Sequence, residues 1–123
     1  MFVLIFNLLL LTTVLAQKEY YDRKYDYFDV EFLVNNPRLL RKYLDCFLDS
    51  GPCPPIGWVF KSKFYLKVIQ TACAKCSPPQ RRFTKKAFDA FKSSLPDKYA
   101  ELQQKYDPRD VYFTRFEKTI ATA

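Results

Sequence analysis

Four cysteines hold most of the chemistry open to this 123-residue sequence: Cys46, Cys53, and the pair Cys73 and Cys76 in the run CAKCSPPQ. A CxxC pair serves as a redox couple, as half of a zinc site, or as a covalent staple. Zinc fits poorly, because the spacing C-x6-C-x19-C-x2-C lacks a second short knuckle and the chain has no histidine. A thioredoxin-like couple belongs at a helix start that follows a strand, whereas this pair closes an apolar helical run. Residues three apart on a helix lie about 5–6 Å from one another, within disulfide reach. Four cysteines allow three pairings, and the spacing favours two local loops, Cys46–Cys53 and Cys73–Cys76.

The missing histidine also removes the usual hydrolytic constellations, and no serine nucleophile elbow replaces them. Asp26 and Asp29 read as helix caps and surface charges rather than an acid–base pair. The expectation is a protein that is not an enzyme, with no catalytic residues, no metal and no cofactor.

The elements that must position the cysteines follow a distinct first segment. Residues 1–16, MFVLIFNLLLLTTVLA, contain no charged side chain, and Val14-Leu15-Ala16 is followed by the polar Gln17-Lys18-Glu19. This pattern predicts a secretory signal peptide at 1–16, too short and wrongly flanked for a membrane anchor. Residues 17–123 are then a single domain, secreted and extracellular, where an even number of cysteines forms disulfides. No Asn-x-Ser/Thr sequon occurs.

Proline punctuation cuts that domain into helices. Asp29 is suited to cap a short helix containing Phe32 and Leu33. Asn36 before Pro37 opens a helix that places Leu40, Tyr43 and Phe47 on one face. Ser77-Pro78-Pro79-Gln80 reads as a capping box ahead of a helix with Phe83, Ala87, Phe88 and Phe91 inward. Leu95-Pro96-Asp97 starts another, bearing Tyr99, Leu102 and Tyr106. A last helix after Asp107-Pro108 carries Tyr112, Phe113, Phe116 and Ile120. WVFKSKFYLKVIQTAC has strand-like composition but no strand partner, and its length predicts a helix. About six helices and no sheet result.

Two compositional features bear on function. Twelve Phe, nine Tyr and one Trp make 18% of the chain aromatic. Such rings either fill a small core or wall a cavity, and composition alone favours filling. The formal charge of +7 is concentrated in residues 50–88, where Lys61 through Lys86 include eight basic and no acidic side chains. A patch of this kind steers anions, or simply keeps an apolar protein in solution. No nucleic-acid-binding motif accompanies it, so nucleic acid is not an expected partner.

Three stretches, KYDYFDVEFLVNNPRLLRKYLDCFLDSGPC (24–53), CAKCSPPQ (73–80) and KYDPRDVYFTRF (105–116), resemble the insect chemosensory proteins, also called the OS-D or ejaculatory-bulb type. The resemblance implies an all-α, six-helix fold around an apolar channel, with disulfides between sequence-adjacent cysteines. It implies a carrier of long aliphatic molecules such as fatty acids, esters and pheromone- or odorant-like compounds. Carried over by position, the channel would be lined by Tyr25, Val30, Leu33, Tyr43, Phe47, Ala87, Tyr99, Tyr112 and Phe116. Asp26 and Gln80 match polar positions that would orient a ligand headgroup. The expected partners are an apolar small molecule and a membrane receptor, with the protein a monomer.

The chain is a divergent member on this reading. Pro54 stands where the family usually has threonine or serine, Tyr99 where it commonly has tryptophan, and Asp110 where it usually has glycine. The Cys53–Cys73 interval holds nineteen residues, one more than usual, and one extra residue rotates a helical face by about 100°. No pocket residue is therefore transferred to 58–72. The third helix becomes apolar over most of its circumference, which predicts deeper burial than in relatives. The alternative function is a secreted interaction protein whose basic, aromatic third-helix region binds a receptor or an anionic membrane.

Overall fold

A computed structural model describes residues 19–123; the predicted signal peptide at 1–16 lies outside them. Among the described residues the protein is all helix, with six helices after a 3-10 turn at Arg23–Tyr27. These are α1 (Val30–Val34), α2 (Pro37–Phe47), α3 in three consecutive pieces, α4 (Pro78–Ser94), α5 (Pro96–Tyr106) and α6 (Phe113–Ile120). The long α4 is the hub, touching the 3-10 turn, α1, α2, α5 and α6.

Helix starts follow the local chemistry of the sequence. The Asp29 carboxylate accepts from the Phe32 N–H at 3.0 Å, and the Asn36 side chain accepts from the Leu39 N–H at 3.2 Å. At α4 the capping box forms as expected: the Ser77 hydroxyl accepts from the Gln80 N–H, and the Gln80 carbonyl oxygen accepts from the Ser77 N–H. Both disulfides close local loops, Cys46–Cys53 and Cys73–Cys76, with Cα atoms 4.7 and 5.1 Å apart.

Helix α3 departs from regular geometry in its middle. It runs as α-helix over Pro55–Val59, as π-helix over Phe60–Phe64, and as α-helix again over Tyr65–Gln70. The Tyr65 N–H donates to the Phe60 carbonyl, five residues back. A turn closed this way holds one residue more than an α turn. After it, Tyr65 and Ile69 both face the core. The deeper burial expected for this helix does not occur along its outer strip: Trp58 is 59% and Leu66 42% exposed.

Three tight connections use left-handed backbone. Asp49 (φ 60°), Ala72 (52°), Cys73 (62°) and Asp110 (51°) all lie there. Asp110 offsets its strain by accepting from the Thr114 N–H at 3.0 Å. Ala72 has no such side-chain compensation. Ala72→Gly is expected to relieve about 1–2 kcal/mol of strain against an unfolded-state cost of about 0.4–1 kcal/mol. Thermal melting should show Tm rising by about 2–4 °C.

The last helix is fastened by Asp107, only 4% exposed. Its carboxylate accepts from the backbone N–H groups of Val111, Tyr112 and Phe113 at 2.8–2.9 Å. Burial pushes this carboxyl upward, but the three donors outweigh it and leave its pKa below the ordinary value. A pKa lower in the folded than in the unfolded state stabilises fully above the unfolded value and is lost as pH falls through the folded one. Asp107→Asn should therefore lower Tm by several degrees at neutral pH, and shrink the difference from wild type as acid titrates the carboxylate. Melts across pH 2–7 check both.

Candidate functional site

The aromatic residues form two groups that meet at Phe88. At one end Phe88, Tyr99, Phe113 and Phe116 form an edge-to-face cluster with ring centroids 4.9–6.4 Å apart. Phe113 and Phe116 are 0% exposed, so this end is solid. At the other end the rings stand around a void of about 80 Å³.

Four parts of the chain build its wall. The N-terminal stretch supplies Tyr21, Tyr25, Phe28 and Leu33, α2 supplies Tyr43 and Phe47, and α3 supplies Phe60, Phe64, Tyr65 and Val68. Helix α4 adds Gln80, Phe83, Thr84, Ala87, Phe88 and Phe91, with Cys76 just before it. Spacings of three and four on α2 and α4 put these residues on single helix faces. The π turn does the same for α3, spreading Phe60 and Phe64 against Tyr25 and Phe28 at 5.0–5.9 Å. Phe64 also meets Tyr21 edge-on at 4.9 Å. These outer rings are half-buried, while Leu33, Tyr43, Phe47, Tyr65 and Phe91 at the inner side are buried.

The wall contains no Lys, Arg, Asp or Glu. Burial raises the hydroxyl pKa of Tyr21 and Tyr43. Tyr65 goes far above its ordinary value, by burial first and then through neighbouring Tyr106 and Tyr99. Its ring stacks on Phe47 (4.9 Å, 18°) and meets Tyr106 edge-on at 5.4 Å. Among the described residues the Tyr65 hydroxyl is the one buried side-chain polar atom without a hydrogen-bond partner. Leaving such a group unpaired costs about 1–3 kcal/mol.

Of the residues carried over from the resemblance, Tyr25, Leu33, Tyr43, Phe47, Gln80 and Ala87 stand on the wall; Asp26, Val30, Tyr99, Tyr112 and Phe116 do not. Phe116 and Tyr99 belong to the solid cluster, where the Tyr99 hydroxyl donates to Glu117 at 2.9 Å. Tyr112 caps α6, and Val30 begins α1 against the core. Asp26 is occupied: it accepts from the Ser77 hydroxyl at 2.7 Å and from the Gln80 amide at 2.8 Å. That amide also donates to the carbonyls of Tyr21 and Asp22. Gln80 and Asp26 thus tie the N-terminal stretch to α4 and have little capacity left for a headgroup.

Wall residues not carried over include Phe60, Phe64, Tyr65 and Val68 in 58–72, where the interval of nineteen residues gave no usable register, and also Tyr21, Phe28, Cys76, Phe83, Thr84, Phe88 and Phe91 outside it. The basic residues flank the cavity without entering it. Lys61 pairs with Asp49, Lys85 with Asp89 and Lys86 with Glu31. Asp49 also holds Lys105, and the two lysines lower its pKa to about 2. Among the described residues no cluster of three or more His, Cys, Asp or Glu side chains could hold a metal, and no helix is long and apolar enough to cross a membrane.

The profile described as "Insect pheromone-binding family, A10/OS-D" matches residues 21–114, which include every wall residue. The chain belongs to this family. As an A10/OS-D protein it is 36% identical over 106 residues to Ejaculatory bulb-specific protein 3 of Drosophila melanogaster, covering 86% of this chain and 83% of that one. Its fold matches a solved chemosensory protein in complex with bromo-dodecanol, with TM-score 0.68 and 28% identity over 80% of this chain and 97% of the other. It also matches antennal chemosensory protein A6 from the moth Mamestra brassicae, with TM-score 0.64 and 26% identity over 83% and 94% of the two chains. The A10/OS-D family resemblance seen in the cysteine and KYD motifs therefore extends through the whole helical fold.

Proposed function

We propose that this A10/OS-D protein carries a long apolar molecule in the aromatic-walled cavity and does not transform it. The observation that supports this most is a charge-free void framed by rings from four parts of the chain. The related chemosensory protein in complex with bromo-dodecanol adds a precedent for an apolar occupant. Tyr25, Leu33, Tyr43, Phe47 and Ala87 would contact it, with Phe60, Phe64, Tyr65 and Val68 supplied by α3.

Each methylene leaving water contributes about 0.8 kcal/mol. A dozen give roughly 10 kcal/mol before ordering costs, compatible with micromolar carriage. The void of about 80 Å³ is smaller than the roughly 300–1,000 Å³ of ligand pockets, so uptake requires the half-buried outer rings to give way. Export to the extracellular space, with 1–16 as leader, fits both the apolar run and the two disulfides.

The test is displacement of bound N-phenyl-1-naphthylamine by alcohols, esters and acids of increasing chain length. Micromolar, length-dependent displacement supports the carrier; no probe uptake rejects it. A second reading rests on Trp58 and Leu66, exposed beside Lys63 and Lys67 on α3. Such a strip suits an anionic membrane or a receptor. Salt-sensitive binding to phosphatidylserine vesicles, unaffected by filling the cavity, would favour it.

A further inference from the structure

We infer that residues 21–28 form a strap that opens to admit the apolar cargo, and that Asp26 is the latch that sets how fast it opens. This rests on the carrier reading and names the part of the wall that moves. The void is too small for a long chain, so one part of the wall must yield. Three of the four parts are clamped. The Cys46–Cys53 disulfide ties the end of α2 to the approach to α3, and Cys73–Cys76 closes the loop between α3 and α4. Those helices also sink Phe47, Tyr65 and Phe91 into the core. Residues 21–28 contain no cysteine and no buried residue, yet they place Tyr21, Tyr25 and Phe28 on the wall.

The strap is held in two ways. Its apolar side rests on rings: Tyr21 and Tyr25 lie 4.9 and 5.0 Å from Phe64, and Phe28 lies 5.1 Å from Phe60 and 5.3 Å from Phe83. Apolar contact is non-directional, so an entering chain replaces these contacts with its own. The polar side is different. Among the described residues, its long-range hydrogen bonds all end on Lys75, Ser77 and Gln80. The Tyr21 N–H donates to the Lys75 carbonyl, and the buried Gln80 amide donates to the Tyr21 and Asp22 carbonyls. Asp26 accepts from the Ser77 hydroxyl at 2.7 Å and from that same amide at 2.8 Å. Hydrogen bonds to a carboxylate are about twice as strong as neutral ones, and no ligand carbon substitutes for them. Asp26 does not line the void, so the latch closes alike over an empty and a loaded cavity. It therefore governs the rates of entry and exit together and leaves their ratio unchanged.

The experiment uses the whole chain, purified with both disulfides formed, and its Asp26→Ala variant. Stopped-flow mixing with N-phenyl-1-naphthylamine, well below the melting range, gives the rates of uptake and release. Both rates are expected to rise about tenfold in Asp26→Ala, with Kd held within about twofold. Trypsin should also cut the variant faster after the exposed Arg23 and Lys24, which lie in the strap. Asp26→Asn keeps an acceptor without the charge; it should raise both rates by a smaller factor, and serves if the alanine variant fails to fold. Unchanged rates in a folded variant overturn the latch while leaving the carrier standing. So does a Kd that weakens with the release rate alone, which is what a ligand contact or a merely damaged wall produces. Failure of wild type to take up the probe overturns the carrier reading and the strap with it.

Discussion

Replacing Phe116 with alanine should destabilise the protein by about 3–5 kcal/mol, while changing probe affinity by less than about tenfold wherever the variant is folded, through the wall residue Phe88 that it touches. Phe116 is fully buried and meets Phe88 and Phe113 edge-on at 4.9 and 6.4 Å. Deleting its ring loses transfer free energy and opens a hole that the surrounding helices close only in part. A domain of this size has a net stability of about 5–15 kcal/mol, so Tm should fall on the order of 20 °C. Circular-dichroism melts read the first effect and probe titration well below the melting range reads the second. Phe116→Leu, which keeps most of the apolar volume, supplies a milder version should the alanine variant fail to fold. Probe affinity collapsing in a fully folded Phe116 variant would return this residue to the cavity wall, contrary to its place in the solid cluster.

Ala87→Leu should do the opposite, cutting probe affinity by at least about tenfold while changing stability by no more than about 1 kcal/mol. Ala87 lies on the α4 face that carries Phe83 and Phe91, and its methyl borders the void. Three added carbons occupy space of about 80 Å³ that the folded protein leaves empty. In a filled core the same change would overpack, at a cost of about 1–3 kcal/mol. Here the new side chain meets space first, and the ligand loses what it gains. Ala100→Leu, on the exposed side of α5, is the control for added bulk alone. Unchanged probe affinity in Ala87→Leu would place the probe somewhere other than this cavity.

The helix boundaries were legible because their causes are local. Asp29, Asn36 and the Ser77–Gln80 box each bond to a backbone group two or three residues away, and proline fixes the turn that follows. The disulfide loops were legible for the same reason. What separates wall from filling was not, because Phe83 and Phe116 are equally apolar in sequence and equally in phase with a helix. Only the closing of α5 and α6 over one end of α4, and of α1 to α3 over the other, makes one a wall and the other a plug. The bonds that tie Asp26 to Ser77 and Gln80 were not legible, because these partners lie more than 50 residues apart in the chain. The π turn was not legible, because Phe60–Phe64 fits an α-helical spacing as readily as the wider turn it adopts. Nothing in the sequence marks the unpartnered hydroxyl of Tyr65, since hydrogen-bond satisfaction is a property of the fold alone.

The wide turn in α3 also separates how tightly this protein grips from how long it holds on. Equilibrium affinity for an apolar chain scales with the carbon it buries. Residence time is set by whatever must move to let the chain out, and differences in hold among related complexes arise mainly in the off-rate. The rings at the outer side, Phe60 and Phe64, ride on the one helical turn whose backbone hydrogen bonds span five residues rather than four. The placement of these two rings at the outer side is therefore set by the backbone of that turn. A protein built this way can bind firmly and still unload quickly.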